Sequence, residues 1–188
     1  FITMLANTLV EGFTLYYPEQ RIADVRPYPW TIRRKGFRCS MINLAIANTY
    51  NGIDCGTIGS GGQHLRNIDM AALRRGVYID RSYDIGRIEN VHIHPVSWVY
   101  GDEKGEKLDR RLWDYLMNNL EGFIIGKCDW EYMIDCFTIF TKVGFRFIEM
   151  ELASGQERGV AEQGNIVITQ SGADLCLLGV LVEKVQDH

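Results

Sequence analysis

The chain has 188 residues, of which 46% are hydrophobic and 23% charged, with a formal net charge of −4. That balance excludes disorder as the main state, and the length suits one domain with a core of its own. No apolar run nears the ~20 residues of a membrane-spanning helix, and the acidic balance argues against a binder of nucleic-acid phosphates.

Nineteen glycines, four prolines and 11% aromatics point to many short strands joined by tight turns. The first cluster of interest is Tyr16-Tyr17-Pro18-Glu19-Gln20, followed by Arg26-Pro27-Tyr28-Pro29-Trp30. Aromatic rings beside polar groups suit sugar faces, which offer CH patches for stacking and hydroxyls for hydrogen bonds. The alternative is a first layer of strands capped by aromatics. Tyr17, Glu19, Gln20 and Trp30 are the candidate sugar contacts here.

The chain then repeats itself. Met41-Ile42-Asn43-Leu44-Ala45-Ile46 reads apolar, variable, Asn, apolar, variable, apolar. Leu65-Arg66-Asn67-Ile68-Asp69-Met70 repeats it 24 residues later, and Ile88-Glu89-Asn90-Val91-His92-Ile93 a further 23 residues on. A second series runs between them, from Gly52-Ile53-Asp54-Cys55 through Gly76-Val77-Tyr78-Ile79 to Gly122-Phe123-Ile124-Ile125. A period of 23–24 residues with two or three short strands is a solenoid signature. The Leu framework of a leucine-rich repeat is absent, so the expected fold is a right-handed parallel β-helix. Asn tolerates the left-handed backbone angles of a bend, so Asn43, Asn67 and Asn90 should stack as a ladder. Gly59-Ser60-Gly61-Gly62 reads as a turn between layers, since no Lys follows it.

Because side chains alternate along a strand, Ala45, Asp69 and His92 share one outward position, with His94 two residues along on the same face. Around them, Arg75, Asp80, Asp84, Arg87, His92 and His94 lie within 20 residues. Paired carboxylates serve glycosidic cleavage, whereas a cation beside a substrate carboxylate serves β-elimination by stabilising the developing enolate-like charge. Asp80, Asp84 and Arg87 are the candidate catalytic groups, with Arg75, His92 and His94 as substrate contacts. The structural alternative has Asp84 making a turn and Arg87 bridging to Asp80 or Glu89. His92 and His94 share a strand face, but no third ligand is evident. No metal and no cofactor is assigned.

Leu108, Leu112, Trp113, Leu116, Met117 and Leu120 recur at helical spacing within 106–120. This predicts an inserted amphipathic helix that either walls a cleft or covers an apolar face. Beyond it, Lys127-Cys128-Asp129-Trp130-Glu131-Tyr132 sets a Trp between two carboxylates, a plausible sugar subsite with an acid or base beside it. Asp129 and Glu131 join the catalytic candidates and Trp130 the binding ones; a buried Trp with Asp129 capping a turn is the alternative. Further strands are expected at 136–140, 144–147, 165–168 and 179–182. Five cysteines without a CxxC signal neither a zinc site nor a disulfide framework, and read as small core residues.

The strings Tyr17-Pro18-Glu19-Gln20, Tyr28-Pro29-Trp30-Thr31-Ile32, Asn51-Gly52-Ile53-Asp54, Tyr83-Asp84-Ile85-Gly86-Arg87-Ile88-Glu89-Asn90-Val91-His92 and Asp129-Trp130-Glu131-Tyr132 resemble bacterial proteins of the pectate lyase superfamily. The resemblance implies a single β-helix domain over 1–188 that acts on or binds polysaccharides, often outside the cell. It transfers no catalytic assignment; the Asn-Thr-Asp, Asp-Asp and Gly-His-Gly motifs of polygalacturonases and a calcium-binding acidic cluster are missing. A carbohydrate partner is therefore expected, with neither nucleic acid nor membrane. The two functions left standing are a glycoside hydrolase or polysaccharide lyase, and a non-catalytic glycan-binding or tailspike-like module. Oligomeric state carries no sequence signal. The first residue is not Met and the last residues read as a strand, so a fragment of a longer chain is expected.

Overall fold

A computed structural model describes residues 1–99, 110–149 and 165–183. The molecule is mostly β, with all described strands in one 14-stranded sheet and every pairing between them parallel. The strands are β1 Ile2–Met4, β2 Leu9–Glu11, β3 Thr14–Tyr16, β4 Trp30–Arg34, β5 Ser40–Cys55, β6 His64–Ile79 and β7 Ser82–Ile93. A short 3-10 turn, Pro95–Ser97, follows β7, and the one described α-helix, α1, spans Arg110–Asn119. The remaining strands are β8 Glu121–Ile125, β9 Cys128–Ile134, β10 Phe137–Ile139, β11 Val143–Phe147, β12 Ile166–Thr169, β13 Gly172–Asp174 and β14 Leu178–Val182.

Each long strand contributes to more than one stack of neighbours. In the first stack, β2, the starts of β5, β6 and β7, then β9 and β12 lie side by side. The register sets Met41, Leu65, Ile88 and Met133 in one row, all fully buried. In the second, β3, the middle of β5 and β6, the end of β7, β10 and β13 align, with Ile46, Met70 and Ile93 in a buried row. In the third, β1, β4, the ends of β5 and β6, β8, β11 and β14 align. Its inward row is Ile32, Ile53, Val77, Phe123 and Phe145, with the two Phe rings stacked at 4.9 Å. Burying each such side chain stabilises the fold by roughly 1.5–3 kcal/mol.

Two columns of special residues run across the strands. Between the first and second stacks, Gly12, Asn43, Asn67, Asn90, Asp135 and Gln170 all have φ between 50° and 74°, and neighbouring strand registers place them in line. The Asn67 amide donates to Asn43 Oδ1 at 3.0 Å and the Asn90 amide to Asn67 Oδ1 at 3.1 Å. The expected ladder is present, and its first rung continues from the Asn43 amide to Glu11 Oε1 at 3.1 Å.

The second column lies in the third stack, where Gly52, Gly76, Gly122, Gly144 and Gly179 follow one another. A Cβ on Gly76 would meet the Gly122 carbonyl at 2.5 Å, and one on Gly122 would meet the Gly144 carbonyl at 2.7 Å. Only glycine lets these backbones approach so closely.

The expected helix appears as α1; its predicted first residues, 106–109, lie outside the described residues. Leu112, Leu116 and Leu120 join the main apolar core, and Trp113 stacks on Phe140 at 4.5 Å. The helix therefore covers apolar surface. No described helix is long and apolar enough to cross a membrane.

Candidate functional site

Alternation decides which predicted side chains reach the surface. Counting back from buried Met133, Glu131 points inward, while Tyr132 and Trp130 point out. Glu131 is fully buried and faces Gly86 of β7 in register. Gly86 has no side chain, so Gln63 reaches past it and its amide donates to Glu131 Oε2 at 2.6 Å; a Cβ at Gly86 would strike both groups. The buried Arg34 guanidinium donates to Gln63 Oε1 and to the Cys55 carbonyl, and Ser82 Oγ lies 3.1 Å from Gln63 Oε1. Burial pushes the Glu131 carboxyl up to about 8, against the opposing pull of Arg34, Gln63 and Arg87. This is an internal polar knot, not an exposed carboxylate beside Trp130.

Asp80 is also fully buried. Its Oδ1 accepts from the backbone N–H groups of Arg81 and Lys127, both at 2.8 Å, and its Oδ2 accepts from the Tyr78 hydroxyl at 3.2 Å. It fixes the turn between β6 and β7. Neither Asp80 nor Glu131 can touch a surface-bound substrate in this arrangement, because a general acid or base must come within hydrogen-bond reach of the reacting group.

The first aromatic cluster is likewise engaged internally. The Tyr17 hydroxyl bonds Thr31 Oγ1 at 2.9 Å, and its ring packs on Tyr28 at 4.9 Å. Gln20 closes the following loop through two 2.8 Å bonds with the Arg26 backbone. Trp30 is buried and stacks on Tyr78 at 6.1 Å, with the Arg75 guanidinium 6.0 Å from its ring. Glu19 is exposed and pairs loosely with Arg26 at 3.8 Å.

What the fold does assemble is an exposed face on the first stack. Ile85 pairs with Trp130 and Arg87 with Tyr132, which brings the outward residues of β7 and β9 together. Tyr83, Trp130 and Tyr132 are 45%, 38% and 40% exposed. Lys127 Nζ sits 4.7 Å from the Tyr83 ring centre and 3.6 Å from Asp129 Oδ1. Asp129 and Arg87 are exposed, and half-buried Asp84 uses Oδ1 to accept from the Ile85 N–H at 2.8 Å. Strands about 4.8 Å apart thus carry three rings, two cations and the Asp129 carboxylate on one surface, with Asp84 alternating with Tyr83 and Ile85 along β7 and lying against Gly61 and Gly62. Tyr83, Lys127 and Tyr132 were not singled out from sequence; Tyr132 shares its parity with Trp130, and Tyr83 with Ile85, which pairs with Trp130, whereas Lys127, just before β9, carried no such signal.

His92 and His94 stand elsewhere, on the second stack. As expected, Asp69 pairs in register with His92, and His94 Nε2 lies 3.1 Å from Asp69 Oδ1. No family model, curated protein or solved structure matches the chain.

Proposed function

We propose that the chain is a right-handed parallel β-helix that acts on a polysaccharide or oligosaccharide, cleaving it by glycosidic hydrolysis or β-elimination at the exposed face of β7 and β9. The observation that carries this reading is the interleaving of Tyr83, Trp130 and Tyr132 with Arg87, Lys127, Asp84 and Asp129 on adjacent strands. Flat rings bind the CH faces of sugars, while charged groups bind hydroxyls and carboxylates. The parallel stacking, the asparagine ladder and the repeat of 23–24 residues support the β-helix.

In this reading Asp129 and Asp84 serve as the acid and base of hydrolysis, or Arg87 stabilises the charge that develops in elimination. Asp80 and Glu131 drop out of direct contact because both are fully buried. The test is incubation of the chain with polyuronides, fructans and neutral plant glycans, with products read by mass and by the ultraviolet absorbance of an unsaturated sugar. Cleavage is expected, and Asp129→Asn should lower turnover by about 10²–10⁴ if Asp129 transfers the proton. An unsaturated product with Arg87→Ala inactive would select elimination.

A non-catalytic glycan-binding module is the second reading. It is favoured by the fact that Asp84 and Asp129 already have partners in the Ile85 N–H and Lys127. Binding without any product, weakened by Trp130→Ala, would establish it.

A further inference from the structure

We propose that Asp69, His92 and His94 form a binding site for one divalent transition-metal ion of zinc type. One ligand atom from each lies within 4.8 Å of the other two. The two imidazoles converge on the same carboxylate oxygen: His94 Nε2 is 3.1 Å and His92 Nδ1 4.0 Å from Asp69 Oδ1. Four-coordinate ligands at about 2.0–2.1 Å from a zinc ion stand roughly 3.3 Å from one another. The two observed separations bracket that edge, so a small rotation of the side chains completes the geometry.

A plain ion pair accounts for less. His94 alone satisfies an Asp69 hydrogen bond, and 4.0 Å is too long for His92 to add a second. Yet the fold aims His92 at the same oxygen. Its ring lies 6.2 Å from Phe137 on one side and 6.3 Å from His94 on the other, both edge-on. On the opposite neighbouring strand the aligned residue is Ala45, whose methyl group leaves room above Asp69. The donor set of two imidazoles and one carboxylate suits zinc or a similar borderline cation rather than calcium or magnesium.

The side chains of Asp69, His92 and His94 are 60%, 41% and 17% exposed. Three protein ligands at the surface leave a position for an oxygen donor such as water or a carboxylate, the pattern of open rather than structural zinc sites. His94 Nδ1 is buried without a hydrogen-bond partner. Ligating histidines are usually tightened by such a partner, so the expected affinity is lower than that of a fully supported site. The site lies on the second stack and does not depend on the carbohydrate reading.

The test is titration of the chain, stripped with chelator, with Zn²⁺ by calorimetry and with Co²⁺ by visible absorption. One ion per chain and the absorption bands of low-coordinate Co²⁺ are expected. Asp69→Asn, His92→Ala and His94→Ala should each weaken uptake at least about tenfold, since loss of a mere outer partner of a ligand already costs about 10–100-fold. His64→Ala, which removes the two-member pair with Glu89 at 3.4 Å, should leave it unchanged. Melting curves in chelator report folding, and His92→Gln replaces His92→Ala if that variant melts early. No uptake by the wild-type chain, or uptake undiminished in both Asp69→Asn and the His92 variant, would overturn the site.

Discussion

Glu131 is where the protein's charge chemistry departs most from that of a free side chain. Burial raises its carboxyl from 4.5 to about 8 in the folded state. The folded form therefore holds the proton more tightly than the unfolded form, and this group's stabilising contribution is complete below pH 4.5 and lost as pH rises through about 8. Melting temperature should fall as pH rises from about 4.5 to about 8, and Glu131→Gln should flatten that slope while keeping an acceptor for Gln63. Gly86→Ala tests the same knot sterically, since its methyl would enter the space where Gln63 and Glu131 meet; loss of stability by about 1–3 kcal/mol is expected in chemical denaturation. Thiols show the same contrast between inside and outside. Cys39, Cys55, Cys128 and Cys136 are buried, and desolvation raises Cys55 and Cys136 to about 12. Cys176 is half-exposed, so a thiol reagent should label one cysteine in the native protein and all five after denaturation.

At the scale of the strand and the bend, the two columns make different demands. Asn67 needs a left-handed backbone at φ 52° and also hands an amide hydrogen bond to Asn43 while accepting one from Asn90. Asn67→Ala should therefore cost about 1–2 kcal/mol for the backbone alone, with the lost ladder bonds in addition. Asn67→Gly keeps the backbone and should cost less; equal losses for the two variants would show that the ladder bonds, not the backbone angle, dominate. The glycine column is set by space instead. Gly76→Ala drives a methyl into the Gly122 carbonyl and Ile93, and a loss of about 3 kcal/mol or more is expected. Gly172→Ala serves as the control, because its new methyl would meet only the Phe137 ring at 3.4 Å and should cost under about 0.5 kcal/mol.

For the molecule as a whole, legibility followed periodicity. The 24- and 23-residue returns of the Asn motif placed Asn43, Asn67 and Asn90 in one column, and the same count set Asp69 beside His92. The count then failed across the inserted helix, where the partner of Ile88 is Met133, 45 residues on. Without that register the inward parity of Glu131 was hidden, and Trp130 read as lying between two available carboxylates. Asp135 and Gln170 escaped notice for a related reason: they take the ladder's left-handed bend with φ of 53° and 50°, but neither is the Asn that the pattern sought. Asp80 looked catalytic by composition. Its role in holding the Arg81 and Lys127 backbones depends on the stretch after β8 lying beside the turn between β6 and β7, a register across the inserted helix that spacing does not report.

The glycine column carries a further consequence for how such a chain can change in length. Each glycine is required by the carbonyl of the next glycine along the column, so the residue acceptable in one layer is dictated by its neighbour. A deletion of one residue inside a strand would turn its inward row outward and misalign both columns at once. Removal or duplication of a whole period would return a Gly to face a Gly and an Asn to face an Asn. Variation in size should thus come in quanta of about 23–24 residues, with other insertions admitted only at turns, as the stretch between β7 and β8 already is.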